Sequence, residues 1–424
     1  MIDSHFLVLF VFKLVLSKNR QGYKSLLNEL WEKEELATYQ QTPIASSTLC
    51  EARKKLPEEI FIELNKVILL EREKNSPLPR WCGHRVFAAD GSKISLPHEL
   101  LIAGYKAPNR QQYYPQGLLS TIYHLGGGLV YDCLLSSQKS EGHCVISQMD
   151  KLSAGDVLVL DRGYFSYLLL HQAIEKNIHL ICRLQFGTMN KAVKSFHDSD
   201  LNDTVIDCYP SASVKSEIKS QGYDINYRKI KLRLIKYKID EEIYICATTL
   251  IGEQYPLDEF AHVYHGRWGI EELYKISKEF IHIEDFHGKT ERGVKQELYA
   301  HRLLINIARI FELEANSQLP PPGPKDTGQE DVMDIKQSYW QDFCGEVKKH
   351  KINFKNCLLV ISRYIEKLVI SIEQENGNWL CKMLSSISRV RQKIRAGRHY
   401  PRRSRKPYTK WQSSNASKIA TTGA

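Results

Sequence analysis

The chain has 424 residues, of which 42% are hydrophobic and 25% are charged, and its formal net charge is +10. A chain of this length and hydrophobic content can bury a sizeable core, which indicates a globular protein of one large domain or two to three smaller ones. The ten cysteines are scattered without a Cys-x-x-Cys pair. The sequence therefore predicts neither a zinc ribbon nor a disulfide framework, and a reducing cytoplasm fits best.

An apolar run opens the chain at residues 6–16 and is interrupted by Lys13. It is too short to span a bilayer and has no basic segment before it, so it predicts a core helix or strand and no membrane partner. Residues 23–75 have a helical pattern, with Ser46, Ser47 and Thr48 available as N-caps. We therefore predict an N-terminal helical region over residues 1–79, in which scaffolding and DNA contact are both open roles.

The pattern changes near residue 80. A short apolar run at 86–89 ends in Asp90-Gly91-Ser92, which predicts a strand followed by a turn. Two more strands are predicted at 117–125 and 129–136, joined as a hairpin by the glycines at 126–128. These segments indicate three antiparallel strands.

A predicted helix at 145–152 precedes the segment 156–160, in which Asp156 is followed by four apolar residues, and such a run is typical of a strand buried on both faces. That run ends in Asp161-Arg162-Gly163-Tyr164. A helix at 166–176 and a strand at 178–184 follow. The order β-β-β-α-β-α-β predicts an α/β fold with a mixed sheet flanked by helices, whose first part spans residues 80–184.

The second half of the chain is divided by composition. Residues 185–255 contain alternating, Lys/Arg-rich segments at 229–237 and 242–248, which predict a β-rich insertion. A mostly helical stretch at 257–314 follows, in which Gly266 and Gly269 weaken the prediction of continuity. It forms most of a unit at 256–316 that completes the core.

The C-terminal part begins with a proline-rich run at 319–324. This run predicts a linker, and with a helix at 354–375 it makes up a linker and helical region over 317–378. Residues 376–424 hold twelve Lys and Arg residues and no Asp or Glu, so the rest of the chain sums to about −2. The basic tail, 379–424, is either a phosphate-contacting segment or a solvated terminus.

Two aspartates, Asp90 and Asp161, lie at the ends of separate predicted strands. If the strands are neighbours, both carboxylates project into one cleft, where oxygen ligands suit Mg²⁺ or Mn²⁺. Two such ions about 4 Å apart can activate the attacking oxygen and stabilise the leaving oxygen of a phosphodiester. Taken singly, each aspartate is equally explained by a turn or a cap.

A third acid lies on the later helical stretch. Tyr264, Arg267, Glu271 and Lys278 are offset by 0, 3, 7 and 14 residues, which places them within roughly a 60° arc of one helix face. This face offers an acid beside groups that can hold phosphates, although an ion pair and a core tyrosine would explain it too. Glu271 would supply the third acid that a two-metal site needs beside Asp90 and Asp161.

The spacing Tyr264-x2-Arg267-x3-Glu271-x6-Lys278 resembles the Tyr-Arg-Glu-Lys signature of bacterial transposases of the insertion-sequence-4 type. Residues 89–92, 160–164, 264–273 and 295–300 are similar to that family as well, and the resemblance runs from about residue 46 to 309. It implies a ribonuclease-H-like catalytic core with a β-rich domain inserted before the glutamate.

By this resemblance the catalytic residues and metal ligands are Asp90, Asp161 and Glu271, which bind two Mg²⁺ or Mn²⁺ ions. The implied reaction is in-line attack of water on the phosphodiester at an element end. The freed 3′-hydroxyl then attacks the opposite strand or target DNA, with no covalent enzyme intermediate. The DNA-binding residues are then Tyr264, Arg267 and Lys278, with Arg402, Arg403, Arg405 and Lys406 of the basic tail. Trp268 is expected to be buried rather than to stack on a displaced base.

The implied partner is double-stranded DNA, as the inverted-repeat ends of the element and as target. A homodimer is expected, because two ends must be paired, and the location implied is the bacterial cytoplasm, at the nucleoid when DNA is bound. Two alternatives stay open. One is a stand-alone nuclease with the same core, and the other is an inactive, transposase-derived DNA-binding protein.

Overall fold

The structure is a computed structural model, and it describes residues 2–17, 22–32, 44–137, 140–184, 191–239, 242–319, 350–370 and 378–393. Most of the predicted basic tail lies outside the described residues, including Arg402, Arg403, Arg405 and Lys406. Much of the predicted linker at 317–378 does so too.

The described residues of the N-terminal region form four helices: α1 (Ser4–Leu16), α2 (Tyr23–Trp31), α3 (Ser46–Lys55) and α4 (Glu59–Asn75). Asp3 caps α1 by accepting a hydrogen bond from the His5 backbone N–H. Residues 6–15 are all buried, as expected for a helix that is apolar all round. The Lys13 ammonium is buried with Glu29 at 2.8 Å and Glu366 at 3.0 Å. The apolar opening run is therefore a core helix.

An eight-stranded mixed sheet forms the centre of the molecule. Its first five strands are β1 (Val86–Ser95), β2 (Gln116–His124), β3 (Leu129–Ser136), β4 (Val157–Leu160) and β5 (His179–Arg183). They lie in the order β3-β2-β1-β4-β5, with β3, β2 and β1 antiparallel and β1, β4 and β5 parallel. The fold class predicted from the sequence, a ribonuclease-H-like mixed sheet flanked by helices, is confirmed.

Helices cover both faces of this sheet. On one face lie α5 (Glu141–Gln148) and α6 (Tyr167–Glu175), which pack on Phe87, Ala89 and other side chains of β1, β4 and β5. The other face carries α9 (Glu259–Gly266), α10 (Trp268–Glu279) and α11 (Glu291–Ser317). Since β4 is buried on both faces, all four of its side chains are apolar.

Residues 185–255 extend the same sheet. They contain α7 (Lys191–Asp198), β6 (Asp203–Cys208), α8 (Ala212–Ser220), β7 (Ile230–Ile239) and β8 (Glu242–Thr248). β8 pairs antiparallel with β5, and β7 and β6 follow, so these strands form no separate sheet. The helices α7 and α8 of this segment were not predicted, because both are short and have few apolar positions.

The described residues after β8 are mainly helical. Residues 257–314 are mostly helical, as predicted, but they do not form one continuous helix, because α9, α10 and α11 are separated at Arg267 and by residues 280–290. Helix α11 is buried along much of its length and packs on α1, α4 and α12 (Phe354–Ile370). The short strands β9 (His350–Ile352) and β10 (Arg391–Lys393) pair with each other, and α13 (Asn378–Arg389) directly precedes β10 in the chain. No helix within the described ranges is long and apolar enough to cross a membrane.

Candidate active site

Asp90 lies within β1 and not in a turn. The predicted turn at Asp90-Gly91-Ser92 is wrong, because β1 continues to Ser95 and pairs with β2 along that length, with Asp90 opposite Thr121. Pairing with a partner distant in sequence overrides the local turn preference of the Asp-Gly pair. The Asp90 side chain is half-buried.

Asp161 directly follows β4, the parallel neighbour of β1. Ala88 pairs with Val159 in these two strands. Residues 90 and 161 each lie two positions further along, so they are side by side on one face of the sheet. The structure thus places the two predicted aspartates together at the carboxyl end of β4.

The residues of the Tyr-Arg-Glu-Lys spacing lie on two helices rather than one. Helix α9 ends at Gly266 and α10 begins at Trp268, while Arg267 keeps helical dihedral angles of φ −52° and ψ −30°. Tighter i to i+3 hydrogen bonds span the junction, from Arg267 N to Tyr264 O and from Ile270 N to Arg267 O. The chain therefore still follows a helical path, and Tyr264 and Glu271 both reach the site.

Hydrogen bonds connect this junction to the sheet. The Tyr264 hydroxyl donates to Asp161 Oδ1 at 3.0 Å, and Arg267 Nη2 donates to Glu271 Oε1 at 2.7 Å. Arg267 is buried, whereas the Glu271 side chain is 51% exposed. Among the described residues the Arg267 Nε finds no hydrogen-bond partner. A buried guanidinium is thus held between a tyrosine and a glutamate with part of its donor capacity unused.

Helix α10 also braces the strand that carries Asp90. The Tyr274 hydroxyl lies 2.8 Å from the Asp90 carbonyl oxygen and 2.9 Å from that of Leu119, where it can donate to either. The Lys278 ammonium donates to the Lys93 carbonyl oxygen at 2.7 Å. These contacts fix the distance between α10 and β1, and they place Lys278 beside the outer end of β1.

The carboxylate form of Asp90 is electrostatically unfavourable in its surroundings. Burial raises the pKa of its carboxyl to about 6, and the negative charges of Glu141 and Glu271 act in the same direction. The Gly91 backbone N–H and the Arg267 charge oppose this rise. A carboxylate that is costly to ionise beside other acids is one that a bound cation would stabilise.

The donor set fits a hard cation in chemistry, because Asp90, Asp161 and Glu271 offer only carboxylate oxygens. The three are not gathered around one point. In the part of the chain that the structure describes, no three His, Cys, Asp or Glu side chains are close enough to hold one metal ion. Glu271 is instead paired with Arg267.

Trp268 is exposed, contrary to the expected burial. Its side chain is 58% exposed and stacks on the His265 ring at 5.3 Å. The neighbouring Gly269 takes the inner position at the start of α10, where an added Cβ would lie 3.0 Å from the Tyr123 ring. Since the backbone itself packs there, Trp268 is left on the outside.

The sequence did not point to Glu141, which acts on Asp90 more strongly than Glu271 does. It also did not point to Tyr164 as a neighbour of these acids, although that residue lies in one of the motifs. The one sequence signal for Glu141 is that it follows Ser140, a residue type common at helix N-caps, and so lies in the first turn of α5.

The comparisons with known proteins agree with this geometry. The sequence profile of the family described as "Transposase DDE domain" matches residues 81–307, more than half of the chain. A search of curated proteins gave no match. The chain is similar to the cryo-EM structure of the piggyBac transposase synaptic complex with hairpin DNA, at 10% identity and a TM-score of 0.38, over 98% of this chain and 82% of that one. The profile match over residues 81–307 shows the family. The chain belongs to the transposase DDE domain family.

Proposed function

We propose that this family member is an insertion-sequence transposase of the insertion-sequence-4 type. It would cleave DNA at the ends of its element and join those ends to target DNA by two-metal phosphoryl transfer. One observation supports this most directly. Asp90 lies in β1 and Asp161 directly follows β4, the parallel neighbour of β1, and the helix that carries Glu271 is braced against the strand that carries Asp90.

The metal ligands in this proposal are Asp90, Asp161 and Glu271. When bound, two divalent ions supply activation of the attacking oxygen and stabilisation of the leaving oxygen. Glu271 has to turn away from Arg267 to join the aspartates, and its 51% exposed side chain has room to do so. Tyr264 holds Asp161 in place through its 3.0 Å hydrogen bond.

The phosphate contacts in this proposal come from the basic groups beside the acids. Once Glu271 turns away, the Arg267 guanidinium has free donors, and its planar fork suits two phosphate oxygens. Lys278, half-buried near the outer end of β1, supplies a point charge to the same strand of DNA. These groups position the phosphodiester and neutralise its charge, which is where catalysis of phosphoryl transfer arises.

The wider organisation is also a proposal. Residues 1–79 would form the N-terminal helical region, and residues 80–184 the first part of the core. Residues 185–255 would form the insertion and 256–316 would complete the core. Residues 317–378 would form the linker and C-terminal helical region, and 379–424 the basic tail. Double-stranded DNA would be bound at inverted-repeat ends and target, by a homodimer that pairs two ends. Tail residues Arg402, Arg403, Arg405 and Lys406 would add phosphate contacts.

The test supplies labelled element ends, a target plasmid and Mg²⁺ to the full chain. The ends are identified as short inverted repeats in the DNA that flanks the coding sequence. We expect Asp90→Asn, Asp161→Asn and Glu271→Gln each to lower cleavage and joining by about 10³-fold, since each removes several kcal/mol of charge stabilisation. Glu272→Gln, an exposed neighbour of Glu271, should leave both within about two-fold.

The outcomes separate the candidate functions. Wild-type cleavage in any of the three acid variants would show that the site is wrongly assigned. Hydrolysis without joining would favour a stand-alone nuclease. DNA binding without cleavage by the wild-type protein would favour an inactive, transposase-derived binding protein.

A further inference from the structure

Glu141 lies against the strand that carries Asp90. It is the first residue of α5, and its side chain covers the α-carbon of Gly91. A Cβ built on Gly91 would be 2.9 Å from both Cγ and Oε1 of Glu141. A larger residue at position 91 would therefore displace the Glu141 carboxylate from the edge of β1.

The edge of β1 is open at this point. β4 pairs with β1 only as far as Ala88 and Val159 and ends at Leu160. Within the described residues no strand flanks that edge from Asp90 onward. Phe87 and Ala89 face the α5 side of the sheet and Ala88 the α10 side. Glu141, coming from the α5 side, can thus reach Asp90 around the end of β4.

Glu141 acts electrostatically on Asp90 itself and on groups that Asp90 also affects. Burial raises the pKa of Asp90 most, and the negative charge of Glu141 raises it further, by more than the charge of Glu271 does. Burial followed by the charges of Asp90, Cys133 and Glu141 raises the pKa of the Tyr274 hydroxyl. Two acids so placed repel each other unless a cation lies between them or beside them.

Tyr164 supplies an independent observation. Its side chain is only 4% exposed, and among the described residues its hydroxyl has no hydrogen-bond partner. Burial raises its pKa first, and the charges of Glu141 and Asp90 and a side-chain hydrogen bond to Glu141 act in the same direction. The hydroxyl is thus directed at Glu141 but lies outside close hydrogen-bond range of it, so it is a donor available to that carboxylate once the carboxylate is fixed.

We propose that Glu141 is a fourth carboxylate of the metal site, binding a divalent cation together with Asp90, with the Tyr164 hydroxyl donating to the Glu141 carboxylate. This inference rests on the proposed function, because it adds a ligand to the metal site of that reaction. Gly91 then has a role as well, since only a residue without a side chain leaves the carboxylate its place at the edge of β1.

The experiment measures Mn²⁺ binding to the full chain by calorimetry, without DNA. We expect Glu141→Gln to weaken Mn²⁺ binding by about ten-fold or more, and Tyr164→Phe by a smaller factor. The matched control is Asp150→Asn, which removes an exposed acid just beyond α5 that pairs with Lys176. That control should stay within about two-fold of wild type.

A second measurement excludes a purely structural role. Glu141 is exposed, so Glu141→Gln should fold, and without metal it should be at least as stable as wild type because a repulsion with Asp90 is removed. The rise in Tm that Mn²⁺ gives the wild type should shrink in this variant. In a thermodynamic cycle with Asp90→Asn, the two decreases in affinity should be non-additive, because both residues bind one ion.

The results distinguish this inference from the proposed function. If wild type binds Mn²⁺ and cleaves DNA while Glu141→Gln binds Mn²⁺ as tightly as Asp150→Asn, the inference is wrong and the proposed function stands. If wild type binds no Mn²⁺ and cuts no DNA with either Mg²⁺ or Mn²⁺, the metal site itself fails and Glu141 with it.

Discussion

Arg267 lies among the acidic side chains of the candidate site. It pairs with Glu271, lies over the Tyr264 ring at 5.8 Å, and acts electrostatically on Asp90 and Asp161. The guanidinium is therefore the counter-ion of these acids. A bound divalent cation would supply positive charge to the same groups, so the two can replace each other in stabilising the folded protein.

We predict that Arg267→Gln lowers the free energy of unfolding by about 2–3 kcal/mol in EDTA, because it leaves acids without their buried counter-ion. Mg²⁺ should restore more stability to this variant than it adds to wild type. Urea unfolding with EDTA and with Mg²⁺ measures both quantities. Arg267→Lys, which keeps the charge, is the control, and equal Mg²⁺ increments in all three proteins would contradict the prediction.

The spacing of residues in the sequence predicted some of the site residues and could not predict the others. Glu271 was singled out because its neighbours recur on one helix face, which is a local pattern. Glu141 and Tyr164 have no such pattern relative to Asp90. They approach it only because β4 ends early and leaves the edge of β1 open, which depends on pairing between distant segments.

Elements were predicted well where their signal is local. The predicted bounds of β3 at 129–136 and of β8 at 242–248 are those of the structure, since alternation and buried apolar runs mark both strands. β1 was predicted too short, because its pairing with β2 extends beyond an Asp-Gly pair. The close approach of Gly269 to the Tyr123 ring, just after the break between α9 and α10, joins segments far apart in sequence, so no local periodicity contains it.

The hairpin of β2 and β3 contains a titratable group that is fully buried. His124 is 0% exposed, and its Nδ1 accepts a hydrogen bond from the Gly127 backbone N–H at 2.9 Å. Burial, with smaller effects of the Arg85 and Arg80 charges, lowers the pKa of His124 to about 3. Protonation would remove the hydrogen bond and bury a charge, so the fold requires the neutral ring.

This arrangement predicts acid sensitivity of the hairpin. Between the folded pKa of about 3 and the unfolded value of about 6.5, the unfolded chain binds the proton more readily. The stability is therefore complete above about pH 6.5 and falls as the pH falls. Between pH 7.5 and 4.5 we expect His124 to account for a decrease of about 2–3 kcal/mol.

The measurement compares urea unfolding of wild type and His124→Gln at the two pH values. Glutamine can still accept from Gly127 but does not titrate, so its unfolding free energy should fall less between pH 7.5 and 4.5. His5→Gln, at the exposed start of α1, controls for the removal of a histidine as such. A wild type and a His124→Gln variant with parallel pH dependence would refute the assignment.

At the scale of the whole molecule, positive charge is concentrated at one end of the chain. Residues 394–424 hold eight Lys and Arg residues and no Asp or Glu. The preceding helix belongs to the folded body, since Met383 and Ile387 of α13 are fully buried against the main core and β10 pairs with β9. A deletion that removes only the tail must therefore begin after Lys393, because one that began near residue 379 would remove part of the core.

We predict that a chain ending at Lys393 keeps the unfolding transition of the full protein but binds duplex DNA more weakly. Removing one ion pair with a DNA phosphate should make the slope of log K against log salt shallower by about 0.9, so the two proteins should converge in affinity as salt rises. Binding across a salt series, with the melting curve of each protein, measures this. A matched full-length variant with Arg402, Arg403, Arg405 and Lys406 changed to Gln should reproduce up to half of the change in slope, because these are four of the eight cations. Equal slopes for all three proteins would place DNA binding on the folded body alone, where Arg267 and Lys278 would have to account for it.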